Sequence, residues 1–166
     1  MRSKKKLDEV LSFLKTAYHI EPEDVLQLIK TQEKQEKEEQ ACFIPVSLFS
    51  AVPVSSLEAI TLYLREEKHM AFTAMALLLG RNQIALSTTY RNARKKYVFQ
   101  LKTPESQWHI PAVLFRNRIL SVLEVIVLYL KKDCHMQNST IAVVLKKDPR
   151  TIWTVLQRIQ KKGVRL

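Results

Sequence analysis

Glycine is scarce in this chain: among 166 residues it occurs only as Gly80 and Gly163. Tight β-turns and glycine-rich phosphate loops need residues that reach positive φ or let a ligand approach the backbone. Two glycines therefore exclude a turn-rich β architecture and a nucleotide loop of that type. Cysteine is almost as rare. Cys42 and Cys134 are too few for a disulfide framework or a four-thiolate zinc site, and they point to a reducing, intracellular setting. Long apolar runs are also missing. The stretches 70–79 and 119–130 are too short to span a bilayer, and Glu124 interrupts the second. The chain starts as a signal peptide does, with a basic segment, but Asp8 and Glu9 stand where the apolar region belongs. These absences imply a soluble cytoplasmic protein with no membrane partner.

What the chain does have is a core and a positive charge. Hydrophobic residues make up 46%, enough to bury an interior. Lys and Arg number 27 against 16 Asp and Glu, for a net charge of +11. Residues 1–40 carry −1, residues 41–102 carry +5 and residues 103–166 carry +7. The excess thus belongs to two C-terminal segments, and polyanions are the first candidate partners.

Those segments are copies of one another. A shift of 66 residues superposes Ile44-Pro45 on Ile110-Pro111, Leu48-Phe49 on Leu114-Phe115, and His69-Met70 on His135-Met136, without a gap. From Ile44 to Lys96, 18 of 53 pairs are identical, where chance would give about three. The expected organisation is an N-terminal helical pair and charged linker over 1–40, a first repeat over 41–102 and a second over 103–166.

Each copy reads as helices. Ser55-x-x-Glu58 and Ser121-x-x-Glu124 are capping boxes, in which serine and glutamate take up unsatisfied first-turn N–H groups. Leu57, Ile60 and Leu64, with Leu123, Ile126 and Leu130, follow at helical spacing. A short helix is expected near 73–79 and 139–145, then a tight turn. The last helix opens at Asn82 in one copy and at Asp148-Pro149 in the other, a strong start signal. In the second copy Ile152, Val155 or Leu156, and Ile159 form its inward stripe, which leaves Arg150, Trp153, Thr154, Gln157, Arg158 and Lys161 on other faces. Two short helices joined by a tight turn, the second presenting Arg, Thr and Gln, describe a helix-turn-helix. Such a helix fits the major groove, where Arg pairs with guanine and Gln with adenine while outer cations neutralise phosphates. The Ile-Pro-x-x-Leu-Phe segments are expected to form a short turn, with Pro opening it and Leu and Phe docked on each domain.

The run Ser139-Thr-Ile-Ala-x-x-Leu-Lys-Lys-Asp-Pro-Arg-Thr-Ile-Trp, between Ser121-x-Leu-Glu and Lys161-Lys162, resembles the helix-turn-helix of bacterial sigma-factor region 4. It is similar also to the region-4-like domains of small prokaryotic, largely archaeal, proteins. The resemblance covers Ile110–Lys162 well and Ile44–Lys96 more loosely. It implies promoter reading by the start of the last helix, carried here by Pro149, Arg150, Trp153, Thr154 and Gln157. The first copy departs from the pattern, since Ile84 stands where Arg150 does. Ser87 and Thr88 are its candidate base-reading residues. Candidate phosphate contacts are Lys146, Lys147, Arg158, Lys161 and Lys162 in the second copy, and Arg81, Arg91, Arg94, Lys95 and Lys96 in the first. No counterpart of sigma region 2 is present, so a complete sigma factor is not expected.

Several residues invite sharper readings. His69 and His135 recur in register, but no further Cys or His lies at ligand spacing, so packing or helix-end capping is expected rather than a metal. Glu58 and Glu124 are explained by capping. Tyr63 and Tyr129 read as structural. Trp153 either stacks on a base or closes the interface between repeats. In residues 1–40, Leu7, Val10, Leu11, Leu14 and Tyr18 form one amphipathic helix. A second begins at Pro22, with Val25, Leu26, Leu28 and Ile29 as its apolar side. The pair is expected to pack on the first repeat or to form a homodimer.

The expectation is an all-α protein with two tandem three- to four-helix domains after the helical pair. It would bind double-stranded DNA in the nucleoid with sequence preference, as a transcription regulator or sigma-like accessory factor. Neither a cofactor nor an enzymatic activity is expected. The competing classes are a module that binds RNA polymerase or another regulator, and an RNA- or ribosome-binding protein.

Overall fold

The computed structural model describes residues 42–165 and, before them, Phe13, residues 23–25 and Gln27, all five of these helical. Most of the two N-terminal helices read from the sequence, and their proposed docking or dimerisation, lie outside the described residues. The chain divides into two compact units, Met1–Ala41 and Cys42–Leu166. The second is mostly helical, with one two-stranded sheet.

Its elements run in order through β1 (Phe43–Pro45), α1 (Leu48–Ala51), α2 (Ser56–Glu66), α3 (Phe72–Leu79) and α4 (Gln83–Lys96). The second repeat follows with β2 (His109–Pro111), a 3-10 helix (Ala112–Arg116), α5 (Val122–Lys132), α6 (Asn138–Val144) and α7 (Pro149–Lys161). Both capping boxes form. Ser55 N donates to Glu58 Oε2 at 2.8 Å and Ser121 N to Glu124 Oε2 at 2.7 Å, while each serine hydroxyl accepts from the glutamate N–H. Asn82 and Asp148 cap α4 and α7.

His69 and His135 adopt φ of +53° and +54°. They terminate α2 and α5 in the left-handed conformation that lets Met70 N reach Leu64 O at 2.9 Å and Met136 N reach Leu130 O at 3.0 Å. Their recurrence is a helix-ending device. No group of three or more potential metal ligands exists among the described residues.

The Ile-Pro segments are not the turns expected. They are strands, and they pair with each other: Phe43 with Pro111, Ile44 with Ile110, Pro45 with His109, antiparallel. Three-residue strands are too short to show an alternating pattern in the sequence. Leu48, Phe49 and Phe115 are buried after them, whereas Leu114 is exposed.

The register of this ladder fixes how the repeats are related. Ile44 and Ile110 are equivalent residues, and the flanking pairs exchange when one repeat is mapped onto the other. Two further bonds are mates under the same exchange: Val46 N donates to Trp108 O at 3.0 Å, and Ala112 N to Cys42 O at 2.8 Å. An antiparallel ladder centred on equivalent residues is a local twofold axis. The mate helices α2 and α5 also pack against one another across it. The two segments expected as separate domains thus share a sheet and a core, and contacts gather them into one unit.

The symmetry is broken where the first repeat meets the 3-10 helix of the second. Helix α3 packs on the 3-10 helix, and a Cβ on Gly80 (φ +59°) would lie 2.9 Å from Arg116 Cγ and 3.1 Å from Arg116 O. The mate of Gly80 is Lys146, also at positive φ (+48°) but exposed.

Candidate nucleic-acid interface

The inward stripe of α7 is Ile152, Val155, Leu156 and Ile159, all buried. The remaining positions follow from helical geometry. Arg150, Trp153, Thr154, Arg158 and Lys161 are exposed and Gln157 is half-buried. Trp153 is 60% exposed, so it stands in solvent and does not close the interface between repeats. Asp148 Oδ1 accepts from Arg150 N at 2.7 Å, which fixes the first turn and with it the place from which the Arg150 side chain projects. The Thr154 hydroxyl donates to Arg150 O at 2.8 Å, leaving its oxygen to accept. A groove of about 300 Å³ runs beside this face, between Leu123 and the residues Arg150, Thr154 and Arg158.

Helix α4 presents a poorer surface. Leu86 and Ala93 are its buried positions, Thr88 is exposed and Ser87 half-buried. Ile84, the mate of Arg150, is 74% exposed. Arg91 lies in solvent, with Nη2 3.4 Å from Thr88 Oγ1. The residues named for base reading in this repeat are therefore small hydroxyls beside an apolar side chain.

The cations named as phosphate contacts divide into two sets. Lys95, Arg91, Lys146, Lys147, Arg158 and Lys161 are exposed, with no acidic partner among the described residues. Lys96 and Lys162 are committed within the chain. Their ammonium groups bind Glu58 Oε1 at 2.7 Å and Glu124 Oε2 at 2.6 Å, the same buried carboxylates that close the capping boxes. The repeated Lys-Lys pairs thus split, the first lysine facing solvent and the second clasping the start of the preceding long helix. Arg94 is committed too. It donates to the carbonyls of Tyr97, Val98 and Phe99 and sits 3.5 Å from Glu66, pinning the chain where it leaves α4. Arg81 is half-buried in the turn before α4.

Burial pulls the Glu58 carboxyl upward, but the Lys96 hydrogen bond and the two bonds from Ser55 outweigh it and hold the group below the ordinary carboxylate range. Glu124 is held down in the same way by Lys162 and Ser121. These carboxylates are ionised structural anchors. Tyr63 is buried, and the half-buried Tyr129 donates to His109 O at 3.0 Å, so both tyrosines serve the fold.

Arg118 carries no functional signal in the sequence. Its mate is the buried Val52, so the repeat pattern gave it no counterpart. Its Nη1 donates to Gly80 O at 3.3 Å, which carries a cation of the second repeat to the turn of the first. Among the described residues no helix is long and apolar enough to cross a membrane. Comparison of the chain with protein-family models, with curated proteins and with solved structures gives no match.

Proposed function

We propose that the chain binds double-stranded DNA with sequence preference, using two helix-turn-helix units carried by one polypeptide and addressed to a pair of inverted half-sites. The observation that carries this reading is the twofold relation of the repeats, set by Ile44 opposite Ile110. It relates α4 to α7 as the recognition helices of a symmetric dimer are related, and dimers of that kind read palindromic operators. In this reading α7 supplies base contacts through Arg150, Trp153, Thr154 and Gln157. Helix α4 adds phosphate contacts from Arg91 and Lys95, with Ser87 and Thr88 at its base-facing positions. The half-sites would therefore be unequal in information. A net charge of +11 supports a polyanionic partner. The role that follows is a regulator of transcription or a sigma-like accessory factor, acting in the cytoplasm at the nucleoid.

A second reading rests on a different pair of mates. Leu77 and Val143, on the first helix of each unit, are 55% and 76% exposed. Matched apolar side chains of this kind support docking on a protein such as RNA polymerase, alongside or in place of DNA.

Selection of duplexes from a random pool separates these readings. The DNA reading expects enrichment of two half-sites in inverted orientation, one strongly and one weakly defined. Enrichment of direct repeats, or no enrichment over non-specific binding, would overturn it.

A further inference from the structure

An open cleft of about 690 Å³ straddles the pseudo-twofold axis. Its walls come from both repeats in matched pairs, Ser55 with Ser121, Leu57 with Leu123, and Arg81 with Lys147. Arg118 and Lys162 complete its charged lining, and no carboxylate side chain of the described residues lines it. Lys162 is answered by Glu124 behind the wall. Arg81, Arg118 and Lys147 have no acidic partner among the described residues.

Arg81 is the most exacting of these. Its Nε is shielded from solvent and has no hydrogen-bond partner among the described residues. Burial, and then the charge of Arg118, lower its pKa. A shielded donor without an acceptor, beside a second guanidinium, is unfavourable unless something negative satisfies both. A hydrogen bond brings the second guanidinium there: Arg118 is anchored on Gly80 O, across the axis from its own repeat.

The backbone adds to this field. The capping boxes satisfy Ser55, Glu58, Ser121 and Glu124 N–H groups. The first-turn N–H groups of Ser56, Leu57, Val122 and Leu123 have no intrahelical acceptor, and all four residues line the cleft. Two helix N-termini, each carrying partial positive charge, thus meet at the axis with Arg81, Arg118 and Lys147, cations without an acidic partner among the described residues.

We infer that this cleft binds a phosphate-bearing anion, held by Arg81, Arg118 and Lys147 with the first-turn N–H groups of α2 and α5. The inference does not depend on the DNA reading. The same chemistry is offered by a free phosphorylated compound and by a nucleic-acid backbone phosphate at the axis, and guanidinium forks suit either.

The test is isothermal titration of the full chain with inorganic pyrophosphate at constant ionic strength. The expected result is saturable one-to-one binding, weakened at least tenfold by Arg118→Gln with Lys147→Gln, two exposed positions whose replacement leaves the fold intact by circular dichroism. Arg81→Gln, assayed separately, should weaken it similarly, while Arg150→Ala with Gln157→Ala, outside the cleft, should bind as wild type does. No saturable binding, or unchanged binding in the cleft variants, would overturn the inference. A labelled duplex identifies the source. Displacement of duplex by pyrophosphate assigns the cleft to a backbone phosphate, and uptake of pyrophosphate by the duplex-bound chain assigns it to a free compound; both uphold it. Pyrophosphate binding by a chain with no duplex affinity would uphold the cleft while overturning the DNA reading.

Discussion

Ile44 and Ile110 stand opposite one another at the centre of a three-pair antiparallel ladder, and each is fully buried at the same position of its own repeat. One contact thus joins the repeats, defines their symmetry and contributes to a common core. Truncating either side chain opens a cavity at the joint. Ile44→Ala and Ile110→Ala should each cost about 2–5 kcal/mol in urea unfolding. Both repeats should also lose protection together in hydrogen exchange. Independent melting of α2 and α5 peptides would contradict a shared cooperative unit.

Gly80 and Lys146 occupy equivalent positive-φ positions with opposite tolerances. Lys146→Gly removes the left-handed penalty at an exposed site and should stabilise by about 0.5–1 kcal/mol. Gly80→Ala adds that penalty and presses a methyl on Arg116, where its Cβ would meet backbone oxygen at 3.1 Å. A loss of about 1–3 kcal/mol is expected, read as a lower midpoint in thermal unfolding. Opposite signs at mated positions are the diagnostic result.

Glu58 and Glu124 are held below their ordinary value of 4.5. The unfolded chain therefore takes up protons that the folded chain resists. Stability from these groups is complete above about pH 5 and is lost as pH falls through the folded values. Glu124→Gln keeps a side chain able to close the capping box but removes the carboxylate charge that pairs with Lys162. It should lower stability near pH 7 by about 1 kcal/mol and flatten the acid limb of the stability profile. An unchanged acid limb would show that the clasp has no net electrostatic value.

The DNA reading predicts different signatures for two kinds of side chain. Arg150→Ala with Gln157→Ala should cost about 1–3 kcal/mol for each lost base pairing on a selected site, and little on random duplex. Lys161→Ala should weaken binding equally on all sequences and reduce the slope of log affinity against log salt by about one. Fluorescence anisotropy across salt concentrations distinguishes the two. Equal losses on selected and random DNA for the Arg150 and Gln157 pair would remove base reading from α7.

Elements whose causes are local are legible in the residues alone. Capping boxes at Ser55 and Ser121, caps at Asn82 and Asp148, and apolar spacing at Ile152, Val155 and Ile159 each act within a few residues, so helix starts and the buried face of α7 were legible. The offset of 66 residues showed that there were two copies. Tertiary contact alone set how the copies face each other, because strand register is a contact between residues far apart in the chain, and three-residue strands leave no periodic trace. It also decided which cations remain free. Lys95 and Lys96 look alike in sequence, as do Lys161 and Lys162, but a helix turns about 100° between neighbours. That rotation sends one lysine of each pair to solvent and the other to a buried glutamate 38 residues earlier.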